Sequence, residues 1–319
     1  MTLDGLELHP VRVPMAVRFR QVDHRDVVLV RGPAGWGEFS PFPEYPPTVT
    51  ARWLEATLEA ARRPWPPARR RAVPVNVTVP AVGPDQAADI VRASGCGTAK
   101  VKVAEPGGSF EEDRARVAAV RQALGPDGRL RIDVNGAWTV DEATKNIDAL
   151  AVFDLEYVEQ PCATLDELAR LRPRIPVPVA VDESIRTADD PAEVVARAAA
   201  DVLVLKVQPL GGVASVLKLA TESGVPVVIS SALETSVGLA AGLAAAAAVP
   251  ELRFACGLAT ASLLAVDVVS DPLLPSGGMI ELRRPEPDPD RLAALRPPSD
   301  VAEALLRRIR EAAAVLERR

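Results

Sequence analysis

From residue 72 onward, short apolar runs rich in β-branched residues alternate with stretches whose apolar positions recur every three or four residues. The first pattern predicts buried strands and the second amphipathic helices. The strand-like runs fall at residues 73–79, 99–103, 130–134, 157–159, 179–182, 202–207, 225–230 and 252–255. Helical spacing lies between them, at residues 111–124, 140–149, 165–171, 191–200, 213–223 and 236–248. Eight strands with intervening helices predict a parallel α/β barrel, with a doubly wound open sheet as the structural alternative. Ahead of the barrel, residues 6–13, 26–30 and 36–40 read as strands, with a Gly-Pro-Ala-Gly turn at 32–35. Residues 41–47 form a Pro-rich loop, 50–63 have helical spacing, and the Pro- and Arg-rich stretch 62–71 reads as a linker. A last amphipathic helix is predicted over 291–319. The expected division is a mixed α+β domain over 1–72, a barrel over 73–285, and a helical segment over 286–319 packed back on the first domain.

Composition narrows the partners. A chain of 319 residues, 48% hydrophobic, can bury a barrel and a smaller domain. Its net charge of −6 lacks the basic footprint of nucleic-acid binding. No apolar run reaches the roughly 18 residues of a membrane span. The opening MTLDGLELHPVRVP shows no signal-peptide pattern, so a cytoplasmic protein is expected. Cys96, Cys162 and Cys256 are far apart and form no CxxC, which argues for a reducing compartment and against structural zinc. The only histidines are His9 and His24, so the barrel can build neither a Ser-His-Asp triad nor a histidine-rich zinc site. Of 37 basic residues, only Lys100, Lys102, Lys145, Lys206 and Lys218 are lysine. Arginine keeps its proton in a protein while lysine can release it, so those few lysines are candidates for chemistry. Composition leaves a monomer and a small homo-oligomer equally open.

Buried parallel strands should be apolar throughout, and here the exceptions gather at the strands' C-terminal ends. They are Lys100 and Lys102, Asp133 and Asn135, Glu159, Asp182 and Glu183, and Lys206. Taken singly, an Asp after a strand is a helix cap and a Lys is a solvated charge. Spaced about one βα unit apart over five consecutive strands, they ring one mouth of a barrel. Asp133, Glu159 and Asp182 are hard oxygen donors, suited to Mg²⁺, and a divalent cation would relieve their mutual repulsion. Lys102 and Lys206 flank the three carboxylate strands. A metal with an amine on either side suits removal of a proton beside a substrate carboxylate.

The ordered set KVK at 100–102, DVN at 133–135, EQP at 159–161, DES at 182–184 and Lys206 resembles the muconate-lactonizing subgroup of the enolase superfamily over nearly the whole chain. Within it, GWGEFSPFPEY at 35–45, SSALETSVG at 230–238 and GLAT at 257–260 resemble the o-succinylbenzoate synthases of menaquinone synthesis. The resemblance implies a (β/α)7β modified TIM barrel with an α+β capping domain. It implies a carbon–oxygen lyase using Mg²⁺, with Mn²⁺ as a substitute. The substrate would be a small carboxylate, a succinyl-substituted hydroxycyclohexadiene that loses water. Lys102 would take the proton and return it to the departing hydroxide. Lys100 would assist it, Lys206 would stabilise the enediolate as a cation, and Asn135 would support the metal ligands from behind.

Ser230, Ser231 and Gly257 are expected at the substrate's remote end. Ser231 and Glu234 also have the spacing of a capping box, and backbone amides at that helix start could bind the succinyl carboxylate. Gly211 and Gly212 open another helix and are read as structural. Arg18 and Arg20 lie where the family's cap reaches over the mouth, though a solvated surface role is the simpler reading. The competing activities are an N-succinylamino-acid racemase and a dipeptide epimerase on the same site. The uncharged GLATASLL segment argues against the epimerase, which would place an acidic motif there. A non-catalytic barrel would show a decayed lysine or carboxylate, and none is missing.

Overall fold

A computed structural model describes residues 3–19, 22–186 and 192–318. The chain opens as an antiparallel meander of β1 (Glu7–Phe19), β2 (Val22–Gly32) and β3 (Gly35–Phe39). β1 and β2 run longer than their hydrophobic pattern predicts. The extension of β1 carries a register shift between Pro14 and Phe19, while within the predicted part Arg12 donates to its cross-strand partner Asp26 at 2.7 Å. Helix α1 (Pro47–Arg62) lies across this sheet. The approach is close enough that a Cβ on Gly37 would stand 2.2 Å from Thr57 O, so only glycine fits.

The second unit begins with β4 (Ala72–Pro74), β5 (Val77–Val79), α2 (Pro84–Ser94), β6 (Thr98–Lys102) and α3 (Phe110–Leu124). It continues with β7 (Arg129–Asp133), α4 (Val140–Leu150), β8 (Leu155–Glu159), α5 (Leu165–Leu171), β9 (Val179–Val181) and α6 (Glu183–Arg186). Then come α7 (Ala192–Ala196), β10 (Val202–Lys206), α8 (Val213–Glu222), β11 (Val227–Ser230) and α9 (Ser236–Ala248). Helices α3, α4 and α5 each open with a reciprocal capping box, Ser109/Glu112, Thr139/Glu142 and Thr164/Glu167. The chain ends with β12 (Met279–Glu281), paired antiparallel with β4, then α10 (Pro289–Ala294) and α11 (Ser299–Glu317).

Seven parallel strands form one sheet in the order β11-β10-β9-β8-β7-β6-β5. The ring is closed by two isolated parallel bridges, Ser230 with Gly257 and Val75 with Cys256. This is the expected modified barrel and not an open doubly wound sheet. The eighth strand predicted over 252–255 is replaced by the bridging pair Cys256 and Gly257, because Leu252–Arg253 sit in the half-exposed turn after α9. The single helix predicted over 291–319 is split into α10 and α11, since Pro297 and Pro298 end one helix and start the next. The helix predicted over 191–200 narrows to α7 within the described residues.

The barrel's lower interior is filled by Tyr157, Ala180, Val202, Val204 and Val228, with Phe254 against them. Arg131 is fully buried there and donates to Glu156 at 2.6 Å, Asn76 at 3.1 Å and Ala255 O at 2.8 Å. Its guanidinium lies 4.7 Å from the Tyr157 ring centroid. The interior is therefore a packed floor, which leaves only the upper layer for chemistry. Helix α11 packs Leu305, Ile309, Ala312 and Leu316 with Trp53, Leu54 and Leu58 of α1 in a core that also takes in Ala232 and Leu233 from the barrel. Among the described residues, no helix is long and apolar enough to cross a membrane.

Candidate active site

Alternation along β6 puts Lys100 and Lys102 on the same, inner face, two residues apart. Strand register then aligns the charges. Lys102 is the lateral partner of Asp133, and Asp133 of Glu159. Asp182 and Lys206 lie at the ends of β9 and β10, further round the ring. All are buried, at 7% exposure or less. Several residues that follow these strand ends hold positive φ without being glycine: Ala104 (59°), Asn135 (51°), Gln160 (41°) and Leu233 (63°). Such conformations are maintained by surrounding contacts and cluster at working sites.

The ammonium groups are interleaved with the carboxylates. Lys100 donates to Glu159 Oε1 at 2.6 Å and to Asp133 Oδ2 at 3.0 Å. Lys102 donates to Asp133 Oδ2 and to Asn135 Oδ1, both at 2.6 Å. Lys206 donates to Asp182 Oδ2 at 2.5 Å. Asn135 in turn donates to Glu183 at 3.1 Å, and its backbone N–H to Asp133 Oδ1 at 3.1 Å. Gln160 accepts from the backbone N–H of Asp182 and of Ser184, which fixes the DES turn. Sequence reasoning passed over Gln160, although it stands inside the EQP motif.

Burial works against every charge here, and the neighbours decide the outcome. For Asp133, the charges of Lys100 and Lys102 outweigh burial and hold its carboxyl well below the usual range. For Glu159, burial and then the charge of Asp133 push the carboxyl up to about 7, against Lys100. Burial lowers Lys100, but Asp133 and Glu159 more than reverse this and hold it as a cation. Glu159 is thus less compensated than Asp133. Its Oε2 is buried with no hydrogen-bond partner among the described residues.

That atom is the observation that bears on a metal. No ready-made cage of three acidic, histidine or cysteine side chains converges among the described residues, since the carboxylates are turned to the lysines. The donor set nevertheless fits a hard divalent cation: three carboxylates on consecutive strands, a Glu159 only partly compensated by Lys100, and a buried Glu159 oxygen without a hydrogen-bond partner. Magnesium suits such residues.

The pocket above the charges is lined by Phe42, Thr78, Lys100, Lys102, Asp133, Asp182, Lys206, Ser230 to Leu233, Gly257 and Thr260. It thus joins the expected Ser230, Ser231 and Gly257 to the lysines and two of the carboxylates. Gly257 approaches Ser230 closely: a Cβ there would fall 2.4 Å from Ser230 Oγ and turn that hydroxyl aside. Ser231 shares a hydrogen bond with Thr260 at 2.6 Å. Thr260, Phe42 and Thr78 are additions that sequence reading missed. A larger cleft of about 550 Å³ lies behind the cap between β2 and α11, and it holds none of these lysines.

One expectation is corrected. Ser231 and Glu234 do not form a capping box, because α9 starts at Ser236 with Thr235 as its cap. Glu234 instead accepts from Ala232 N, and Ser231 Oγ from Leu233 N. The amides at the start of α9 are taken by protein carboxylates: Glu38 receives Thr235 N and Gly238 N, and Asp267 receives Ser236 N. They are not available to a substrate carboxylate. At the other glycine pair, Glu59 of α1 accepts from Val213 N and Ala214 N at the start of α8, as a structural reading requires. Arg20 lies outside the described residues, and Arg18 falls within β1.

Two family models match this chain: "Enolase N-terminal domain-like" over residues 11–61 and "Enolase C-terminal domain-like" over residues 84–288. The o-succinylbenzoate synthase of Thermobifida fusca (strain YX) is 63% identical, over 88% of this chain and 89% of the relative. That of Mycolicibacterium smegmatis is 54% identical, over 91% of this chain and 90% of the relative. Among solved structures, the muconate lactonizing enzyme of Pseudomonas fluorescens superposes with a TM-score of 0.79 at 20% identity. It covers 92% of this chain and 98% of that one, a likeness of fold. On these matches the chain belongs to the enolase superfamily and, within it, to the family of the o-succinylbenzoate synthases.

Proposed function

We propose that the chain dehydrates 2-succinyl-6-hydroxy-2,4-cyclohexadiene-1-carboxylate to o-succinylbenzoate, as a cytoplasmic enzyme of menaquinone biosynthesis. The observation that carries this reading is the interleaved row of three lysines and three carboxylates in one barrel mouth, in a chain 63% identical to a named o-succinylbenzoate synthase. Asp133, Glu159 and Asp182 would hold one Mg²⁺, with Mn²⁺ as a substitute. The bound ion supplies fixed positive charge for the substrate carboxylate and for the negative charge that grows on it as the proton leaves.

The residues of the chain do the rest. Lys102, as the neutral amine, takes the proton from the carbon bearing the carboxylate. The electron pair left on that carbon is delocalised into the carboxylate and then forms the ring double bond as the C–O bond to the hydroxyl breaks. The same Lys102 returns its proton to the departing oxygen, so water leaves, the ring becomes aromatic and the amine is restored. Lys100 stays protonated beside Lys102 and disfavours a second positive charge there, which favours the neutral amine that the proton transfer requires. Lys206 faces the opposite side of the carboxylate row and stabilises the developing negative charge as a cation. Asn135 orients Lys102 and Asp133 together. Ser230, Ser231 and Gly257, with Thr260 and Phe42, shape the space for the succinyl chain.

The test is turnover by purified protein with Mg²⁺, the cyclohexadiene and a panel of N-succinylamino acids. Loss of diene absorbance with o-succinylbenzoate as product is the expected result. No consumption of the diene, with racemisation of a succinylated amino acid, would replace this reading with that of the racemase.

A further inference from the structure

We infer that Arg25 is a positioning residue for substrate binding: it ties Phe42 of the cap to the Ala232–Leu233 segment of the barrel across the wall of the lysine–carboxylate pocket. This rests on the reading of that pocket as the substrate site. The reason lies in the ends of two strands. The β2–β3 ladder stops at Val28 and Phe39, while β2 itself begins at Val22. Beyond Phe39, Pro41 and Pro43 lack the N–H groups that would extend the ladder. The segment leading to Phe42 must therefore be held by side chains.

Arg25 holds it. The residue is 2% exposed. Its guanidinium donates from Nη2 to Ser40 O and, at 3.3 Å, to Ala232 O, and from Nε to Leu233 O at 3.1 Å. It also lies 4.2 Å from the centroid of the Phe42 ring. One planar fork thus grips the cap segment, its aromatic ring and two barrel carbonyls at once, a geometry that a lysine ammonium cannot reproduce. Leu233 is held at a φ of 63°, which a leucine keeps only with outside support, and its carbonyl is one of Arg25's acceptors. From the other side Gln208, two residues past Lys206, exchanges hydrogen bonds with Ser40. Burial disfavours the charge of Arg25, and its buried acidic neighbour Glu234 offsets part of that cost.

Phe42, Ala232 and Leu233 line the pocket beside Lys206, Ser230 and Ser231, while Arg25 stands behind that wall. Its influence must therefore run through where the wall sits, at the end of the substrate remote from Lys102. Contacts of that kind act on binding and alignment.

The experiment compares the parent with Arg25→Lys, Phe42→Ala and the double variant, all loaded with Mg²⁺. It measures KM and kcat on the cyclohexadiene, and the Kd of o-succinylbenzoate by calorimetry. Arg25→Lys keeps the buried charge but loses the fork. It should raise KM and Kd about tenfold with kcat within about twofold of the parent. Phe42→Ala should raise Kd similarly, and adding Arg25→Lys to it should bring little more, because the arginine acts through the ring. Parental KM and Kd in Arg25→Lys, with only a lower Tm, overturn the proposal, as do fully additive effects. A parental Kd in Phe42→Ala overturns it even if the arginine variant does not fold. Parent turnover is the control: its absence sinks the reading of the site, whereas an active parent with indifferent variants sinks only the role of Arg25.

Discussion

Lys102 and Asp133 face each other across the parallel pairing of β6 and β7, and the ammonium donates to Asp133 Oδ2 at 2.6 Å. The amine assigned as base is thus aligned by a carboxylate assigned to the metal. Lys102→Arg keeps the charge and the ion pair but cannot lose a proton at working pH. We expect kcat to fall about 10³-fold or more, with an unchanged circular dichroism spectrum. Lys206→Arg should retain a measurable fraction, since a fixed cation still serves on its face. Near-parental turnover by Lys102→Arg would mean that another group is the base.

Metal dependence has a readout apart from catalysis. A ligand that binds only the folded chain stabilises it by about 2.7 kcal/mol at one hundred times its Kd. We expect Mg²⁺ to raise Tm in the parent and to leave Asp182→Asn unmoved, with activity lost in chelator and restored by Mg²⁺ or Mn²⁺. Full activity in excess chelator would end the metal assignment.

The charges at the strand ends were legible because a buried parallel strand has no other use for them, and Lys102, Asp133, Glu159 and Lys206 each break an apolar run. Their regular spacing also carried the barrel. What escaped notice was set by contacts between remote segments. Glu38 and Thr235 are 197 residues apart, yet the first occupies the helix start that sequence alone offered to a substrate. Ser231 and Glu234 had capping-box spacing, but a local motif says nothing about a competing donor or acceptor folded in from the cap. Closure by Cys256 and Gly257 was missed because two bridging residues leave no periodic signal.

Glu38 carries a pH dependence whose sign is fixed. Burial, and then the charge of Glu234, push its carboxyl from an ordinary 4.5 up to about 8, against the donors on Thr235. The folded chain therefore keeps a proton that the unfolded chain has released across that interval. Its contribution to stability is complete below pH about 4.5 and is lost as pH rises through about 8. In metal-free protein, unfolding free energies from urea titration should decline across this window, by at most ~1.4 kcal/mol per pH unit from this one group. Glu38→Gln should flatten that part of the slope. A parent–variant difference constant from pH 5 to 8 would refute the assignment.

Arg131 should matter for stability and little for the chemistry above it. Arg131→Met would leave Glu156, Asn76 and Ala255 O without their shared donor beneath the barrel. Breaking a buried pair by removing one partner destabilises by about 3–5 kcal/mol. Denaturant titration should show a loss of that order, with KM near the parental value for the folded fraction. A loss below about 1 kcal/mol would show that the floor repacks freely.

The substrate preference follows from what the pocket lacks. Dehydration needs a base on one face, while racemisation needs one on each, and the pocket is lined by two lysines, Lys102 and Lys206. The reacting groups therefore do not discriminate, and the remote end must. There the wall is Phe42, Ala232 and Leu233, with the hydroxyls of Ser230, Ser231 and Thr260. The amides at the start of α9 are already bonded to Glu38 and Asp267. Such a wall offers hydrogen bonds to one carboxylate and no charged partner for an additional amino-acid side chain. A succinylated amino acid would bind, but its α-carbon would lack the contacts that align it between the two amines, and misalignment of about 1 Å can cost about 10²-fold. We expect kcat/KM for the cyclohexadiene to exceed that for any N-succinylamino acid by at least that factor. Proton exchange at the α-carbon in D₂O, followed by NMR, would reveal slow one-base exchange even without net racemisation. Net racemisation as fast as dehydration would show that both amines are productively aligned, and the racemase reading would then stand beside the lyase.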